Sequence, residues 1–224
     1  MDVPILWNFV ITSFALMNPL GMVPIFLTLT AGERKDVQRL VALFVAITVL
    51  ALLLVFMFLG TPILNFFGIS LDSFRIAGGI LLLGIGINIV NGVEVNPSRT
   101  LINKGAEAGS WAEARSVYQQ IVIPMAMPLL VGPGVIANVI LYANEIESMK
   151  QDLLNFKLVG GTLLLSLAVL LIFCSGKWLQ LVLGDVGMSI LQRVMGLFVA
   201  AMGVQFIATG SVNTILKQLV PAFR

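Results

Sequence analysis

Histidine is absent from this chain of 224 residues, cysteine occurs once, and only 11% of the residues are charged. Without histidine there is no imidazole to bind a metal or relay a proton. One cysteine, Cys174, allows no internal disulfide and no paired-cysteine metal site. An ordinary soluble domain carries roughly 25% charged residues, so this chain lacks the polar surface needed to dissolve. The net charge of +2 is small, and no basic patch is interleaved with aromatics, so no nucleic-acid partner is expected. Catalytic signatures are missing as well. His-Glu-x-x-His is impossible, no Gly-x-Ser-x-Gly or Walker loop occurs, and no aspartate pair stands at membrane depth. Neither enzymatic activity nor a cofactor is expected.

What the chain has is hydrocarbon: 58% of residues are hydrophobic, and the mean hydropathy is +1.03. Crossing a bilayer takes about 20 mostly apolar residues in a helix. Six windows qualify: Ile5 to Leu29, Leu40 to Leu59, Leu71 to Val90, Ile121 to Ala143, Leu158 to Gly176 and Met188 to Thr209. The expected fold is all-α and polytopic, with the lipid bilayer as its partner. The N-terminus has no basic residue and no cleavage site, so it is expected to remain as the first transmembrane helix. Trp7, Tyr118, Tyr142 and Trp178 fall near predicted helix ends, where amphipathic rings favour the headgroup region.

Two stretches of helix breakers interrupt these windows. Asn18-Pro19-Leu20-Gly21-Met22-Val23-Pro24 lies inside the first, and Pro128-Leu129-Leu130-Val131-Gly132-Pro133-Gly134 inside the fourth. Proline removes a backbone donor and clashes with the carbonyl four residues earlier. In hydrocarbon such a break is tolerated where the freed groups are buried in protein or line a wet cavity. Matched interruptions in two halves point to a transported solute's site. Two simple packing kinks are the bland alternative. Asn18, Gly21, Gly132, Gly134 and Asn138 are the expected solute contacts, with Pro19, Pro24, Pro128 and Pro133 acting by opening the backbone. Asn18 could equally satisfy the backbone beside its proline.

The halves also match beyond the prolines. Gly79, Gly86 and Asn88 stand at the spacing of Gly196, Gly203 and Gln205, 117 positions later, while the proline pairs are 109 apart. Residues 1–90 and 118–224 read as two three-helix repeats joined by a polar linker, 91–117, that is partly helical around Trp111. Three spans is an odd number, so the second repeat enters from the opposite face and the repeats are inverted. Eight basic residues (Arg34, Lys35, Arg39, Arg99, Lys104, Arg115, Lys177, Arg193) fall on one side against five on the other. That side is expected to be cytoplasmic, with both termini outside.

The glycine pairs recur seven apart, on one helix face, and read as close helix packing that permits a homo-oligomer without requiring it. Asn88 and Gln205 read as interhelical hydrogen bonds. Thr48, Thr162 and Ser166 are expected to bond back to their own helices. Asp72 and Arg75 read as an interfacial ion pair, with a gate as the sharper alternative. No carboxylate falls at the predicted midplane, so the cavity is electrically neutral apart from helix-end dipoles. A small zwitterion suits it.

The two break motifs, together with Gly68-Ile69-Ser70-Leu71-Asp72-Ser73-Phe74-Arg75-Ile76-Ala77-Gly78-Gly79 between them, resemble the MarC family over nearly the whole chain. The resemblance implies a six-helix inner-membrane protein grouped with transporters of small neutral amino acids such as glycine and alanine. A coupling ion, sodium or proton, is left open, with sodium favoured weakly by the missing carboxylate. A passive channel, an exporter of another small metabolite and a non-transporting structural or regulatory subunit are the alternatives.

Overall fold

The computed structural model describes residues 2–92, 110–148 and 152–219, and all secondary structure among them is helical. The chain runs α1 (Asp2–Met17), α2 (Pro19–Leu29), α3 (Lys35–Phe66), α4 (Leu71–Val90), α5 (Ser110–Pro124), a π-helical turn (Met125–Leu130), α6 (Pro133–Ser148), α7 (Asp152–Cys174) and α8 (Gly176–Leu219). Among the described residues five stretches are long and apolar enough to cross a membrane: Ile5–Leu27, Lys35–Phe66, Leu71–Val90, Phe156–Cys174 and Val186–Lys217. Their outward faces carry Leu163, Leu164, Leu167 and Leu171 on α7 and Leu197 and Phe198 on α8, which meet lipid rather than water. Most of the linker, 93–109, lies outside the described residues. Its last part is helical from Ser110, as expected around Trp111.

Several helices run past their apolar windows. α3 begins at Lys35 and reaches Phe66, because helical hydrogen bonding extends through its polar first turn and continues past Pro62. Only α4 keeps the expected bounds. Ser70 caps it, accepting the Ser73 N–H at 3.0 Å, and Gly68 with φ 66° turns the chain just before it.

The core is built where α1, α2 and α6 meet α3 and α7, around Phe9, Met17, Phe26, Leu53, Ile136, Ile140 and Leu165, all essentially inaccessible. Phe26 stacks on Phe173 with ring centres 4.7 Å apart, and Phe9 meets Tyr142 edge-on. Ser166 departs from expectation. It donates to the Ala46 carbonyl of α3 at 2.7 Å rather than to its own helix, whereas Thr162 bonds back to Val159. Thr48 bonds back to Phe44 and also meets the Tyr118 hydroxyl.

Contacts define two ends. At one, Arg34 pairs with Glu113 at 2.9 Å, tying the Thr30–Arg34 loop to the start of α5. At the other, Thr61 near the end of α3 donates to Asn144 near the end of α6 at 2.8 Å. Lys217 meets Asp72 at the start of α4 on that same far side.

Candidate functional site

Asn18 sits between α1 and α2 with φ 44°, the only described non-glycine residue in the left-handed region. Asparagine tolerates that conformation better than most residues. Its Oδ1 accepts the Gly21 N–H at 3.3 Å and its carbonyl accepts the Met22 N–H at 3.2 Å, so it caps α2 with Pro19 in the first helical position. Its Nδ2 reaches the Met195 carbonyl of α8 at 3.5 Å. The side chain therefore does satisfy the backbone beside its proline. Pro19 and Pro24 lack N–H groups, which leaves the Ala15 and Leu20 carbonyls without their regular helix donors.

The fourth-helix break is wider. Met127 has φ −141° and ψ 122°, inside the π-helical turn that holds Pro128. The Val131 N–H reaches back five residues to Ala126, and α6 starts only after Gly132, at Pro133. Asn18 and Met127, the two irregular residues, are 109 positions apart, the same offset as the prolines. Both α1 and α2 touch the π-helical turn, so the breaks meet in space. Asn138, one turn beyond Gly134, donates to Ser13 of α1 at 3.0 Å, and both are buried.

Two of the glycines chosen as solute contacts, Gly21 and Gly134, are packed. A Cβ on Gly21 would lie 2.5 Å from the Met195 Cβ, and one on Gly134 2.6 Å from Phe206 Cε2. In this conformation they let helices approach rather than face an open space. Gly79, Gly86, Gly196 and Gly203 do what the spacing suggested. They bring α4 and α8 into backbone contact, with a Cβ on Gly79 falling 2.6 Å from the Gly203 oxygen and one on Gly86 2.7 Å from the Gly196 oxygen.

Asn88 and Gln205 do not bond between helices. Both are exposed, and Gln205 donates to Thr209 of its own helix at 3.2 Å. A repeat position on the lipid-facing side of α4 and α8 offers no partner helix within the chain.

Asp72 and Arg75 do pair, at 3.6 Å. The sequence did not reveal the rest of the cluster: Asn213 donates to Asp72 at 3.2 Å and Lys217 reaches its other oxygen at 2.5 Å. The signal was present in the Asn213–Lys217 spacing of one helical turn, but nothing local tied it to a residue 141 positions earlier.

A cavity of about 460 Å³ opens beside the second half of the broken helix. Pro24 and Leu27 of α2, Gln38 of α3 and Lys177, Ser189 and Gln192 of α8 line it. Of the residues expected at the solute site, only Pro24 is among its described lining. The bend at Gly184, φ 64° and ψ 178°, folds 176–183 back so that Lys177 and Gln180 share the cavity with Ser189 and Gln192. On the other side of that short segment Trp178, Leu181 and Val182 are exposed, the pattern of a helix lying in the membrane interface.

Apolar helices of spanning length, lipid-facing leucines and interrupted helices buried in protein define a multi-pass helical membrane protein. More narrowly, the chain belongs to the MarC family: the model for "MarC family integral membrane protein" matches residues 3–215. Among its relatives are the UPF0056 membrane protein YhcE of Escherichia coli, 34% identical with 93% of each chain covered, and a UPF0056 membrane protein of Methanocaldococcus jannaschii, 39% identical over 88% of this chain and 91% of that one. A further UPF0056 membrane protein, from Pyrococcus abyssi, is 36% identical over 88% of this chain and 89% of its own. No solved structure matches the chain.

Proposed function

We propose that the protein is a secondary transporter of small neutral amino acids, glycine and alanine among them, that works by alternating access and is not an enzyme. The carrying observation is the pair of helix breaks at Asn18 and Met127, equally placed in the two halves and in contact with each other. Segment 110–148 supplies the sixth crossing in this reading. Its start is tied to Arg34 at one end and its Asn144 to Thr61 at the other.

An inverted repeat is supported by the glycine contacts. Shifting by 117 positions turns Gly79 into Gly196 and Gly86 into Gly203, so the Gly79–Gly203 contact becomes the Gly196–Gly86 contact, which also occurs. Only a two-fold relation between α4 and α8 makes such contacts exchange. The same shift carries Asp72 to Ser189 and Arg75 to Gln192. The first pair is locked in an ion cluster with Lys217, and the second lines an open cavity. Equivalent positions closed at one end and open at the other are what alternating access requires.

The open end carries the Thr30–Arg34 loop and Lys177, the basic side, and is the cytoplasmic one in this reading, with the cell inner membrane as the location and both termini outside. The solute is neutral because no carboxylate falls at the breaks, where the half-helix N-termini at Asn18 and Gly132 offer partial positive charge to its carboxylate. Sodium is favoured over the proton as coupling ion for the same reason.

Uptake of labelled glycine and alanine into proteoliposomes under a sodium, proton or absent gradient tests this. Accumulation above equilibrium under one gradient is expected. No flux of any small neutral amino acid, from protein shown to be folded and inserted, overturns it.

A further inference from the structure

We propose that the cavity beside Pro24 is a carboxylate-binding vestibule, in which Lys177 holds the carboxylate of an incoming α-amino acid while amide and hydroxyl oxygens opposite accept from its ammonium group. The inference rests on the transport reading for its physiological meaning, but its chemistry stands on the cavity alone.

Three polar side chains converge here without a partner among the described residues. Lys177, Ser189 and Gln192 line the cavity, and none makes a hydrogen bond or ion pair to another described residue. Among the described lining residues Lys177 is the one charged group, and no carboxylate there balances it. A lone cation in a cleft with apolar walls, here Leu27, Pro24 and Met188, concentrates anions at its mouth. Gln38 is buried and anchored, its Nε2 donating to the Thr30 carbonyl at 2.9 Å, which leaves Oε1 to accept. With Ser189 and Gln192 it offers oxygen acceptors and no negative charge. That set suits the ammonium of a zwitterion, whose charge is cancelled by its own carboxylate, and suits a free cation poorly.

Size decides between a fitted site and a vestibule. At roughly 30 Å³ per water, about 460 Å³ holds some fifteen waters, far more than glycine or alanine displaces. The solute is therefore held while still partly hydrated, one stage before the helix breaks. Gln192 is one turn from Met195, whose carbonyl takes the Asn18 amide, so the floor of the vestibule adjoins the first break.

The test uses the full chain with its single cysteine removed (Cys174→Ser) and a reporter thiol placed on the apolar wall (Leu27→Cys, with Met188→Cys as the second position should the first not fold). The rate of modification by a charged, membrane-impermeant thiol reagent is measured with glycine, alanine, acetate, glycinamide or inorganic phosphate present. Glycine and alanine are expected to slow labelling several-fold, acetate less, and glycinamide not at all. Lys177→Gln is expected to abolish the protection. Protection equal with glycinamide, protection surviving Lys177→Gln, no labelling at either position, or phosphate protecting better than any carboxylate would each overturn the proposal, the last in favour of a phosphate or lipid-headgroup site. Because labelling needs no flux, protection without transport would sink the transporter reading alone, and transport without protection would sink the vestibule alone.

Discussion

Asn18 shows how much one side chain can carry at a helix break. It occupies φ 44°, caps α2 through Gly21 and reaches across to Met195. Replacing it with alanine loses a cap, about 1 kcal/mol, and removes the local side-chain hydrogen bonding that lets asparagine tolerate the left-handed region, where other L-residues pay about 1–2 kcal/mol. Asn18→Gly keeps the backbone free and loses only the side-chain bonds. Thermal unfolding in detergent should therefore rank wild type above Asn18→Gly above Asn18→Ala, while glycine uptake falls steeply in both variants. Equal stability of the two variants would mean that the left-handed conformation is not held. A second residue test is Ser166→Ala, which removes a buried bond between α7 and α3 while the Ala46 carbonyl keeps its helix donor, and should cost about 0.5–1.5 kcal/mol in the same melt. Asn18 was legible from its place before Pro19, since both propensities are local. Its partner Met195, and the Ser166–Ala46 bond, were not, because only tertiary packing selects among the carbonyls a polar group can reach.

At the scale of elements, hydropathy located five of the six expected spans among the described residues and misjudged where helices end. α4 matched because Ser70 and Gly92 punctuate both of its ends. α8 was expected from Met188 to Thr209 but starts at Gly176, because the short segment 176–183 before the Gly184 bend has too few consecutive apolar residues to register as a span. The proline spacing located both breaks. It could not show that the second widens into a π-helical turn with α6 starting only after Gly132. The candidate site was legible as backbone and illegible as cavity, since Lys177 faces the α8 residues Ser189 and Gln192 only because Gly184 bends that helix. At φ 64° and ψ 178° that residue is in a region essentially reserved for glycine. Gly184→Ala should cost about 1–3 kcal/mol. It should also swing Lys177 away from Ser189, so the expected outcome is a lower melting temperature together with loss of glycine protection at a Leu27→Cys thiol. Retained protection would show that the bend does not form the vestibule.

For the whole molecule, the proposed alternating access requires interactions that hold one end closed while the other is open. α4 and α8 meet along glycine contacts that set their distance but, being symmetric, favour neither end. The asymmetry lies in side chains: Asp72, Arg75, Asn213 and Lys217 join the two helices at one end, and Ser189 with Gln192 leave the equivalent place open at the other. Asp72 is buried while Lys217 is 72% exposed, so solvent screening limits the pair to about 1 kcal/mol, roughly a five-fold bias between states. Removing that bias should move the population toward the state in which the far end is open and the vestibule closed. Lys217→Met is the sharper variant, because Asp72 keeps Arg75 and Asn213 and no buried charge is abandoned. A Leu27→Cys thiol should then label several-fold more slowly than in the Lys217 parent, with the melting temperature nearly unchanged. An unchanged labelling rate would show that the cluster only fastens two helices together. A faster one would place the vestibule and the cluster on the same side of the conformational equilibrium, against the two-fold logic of the repeats.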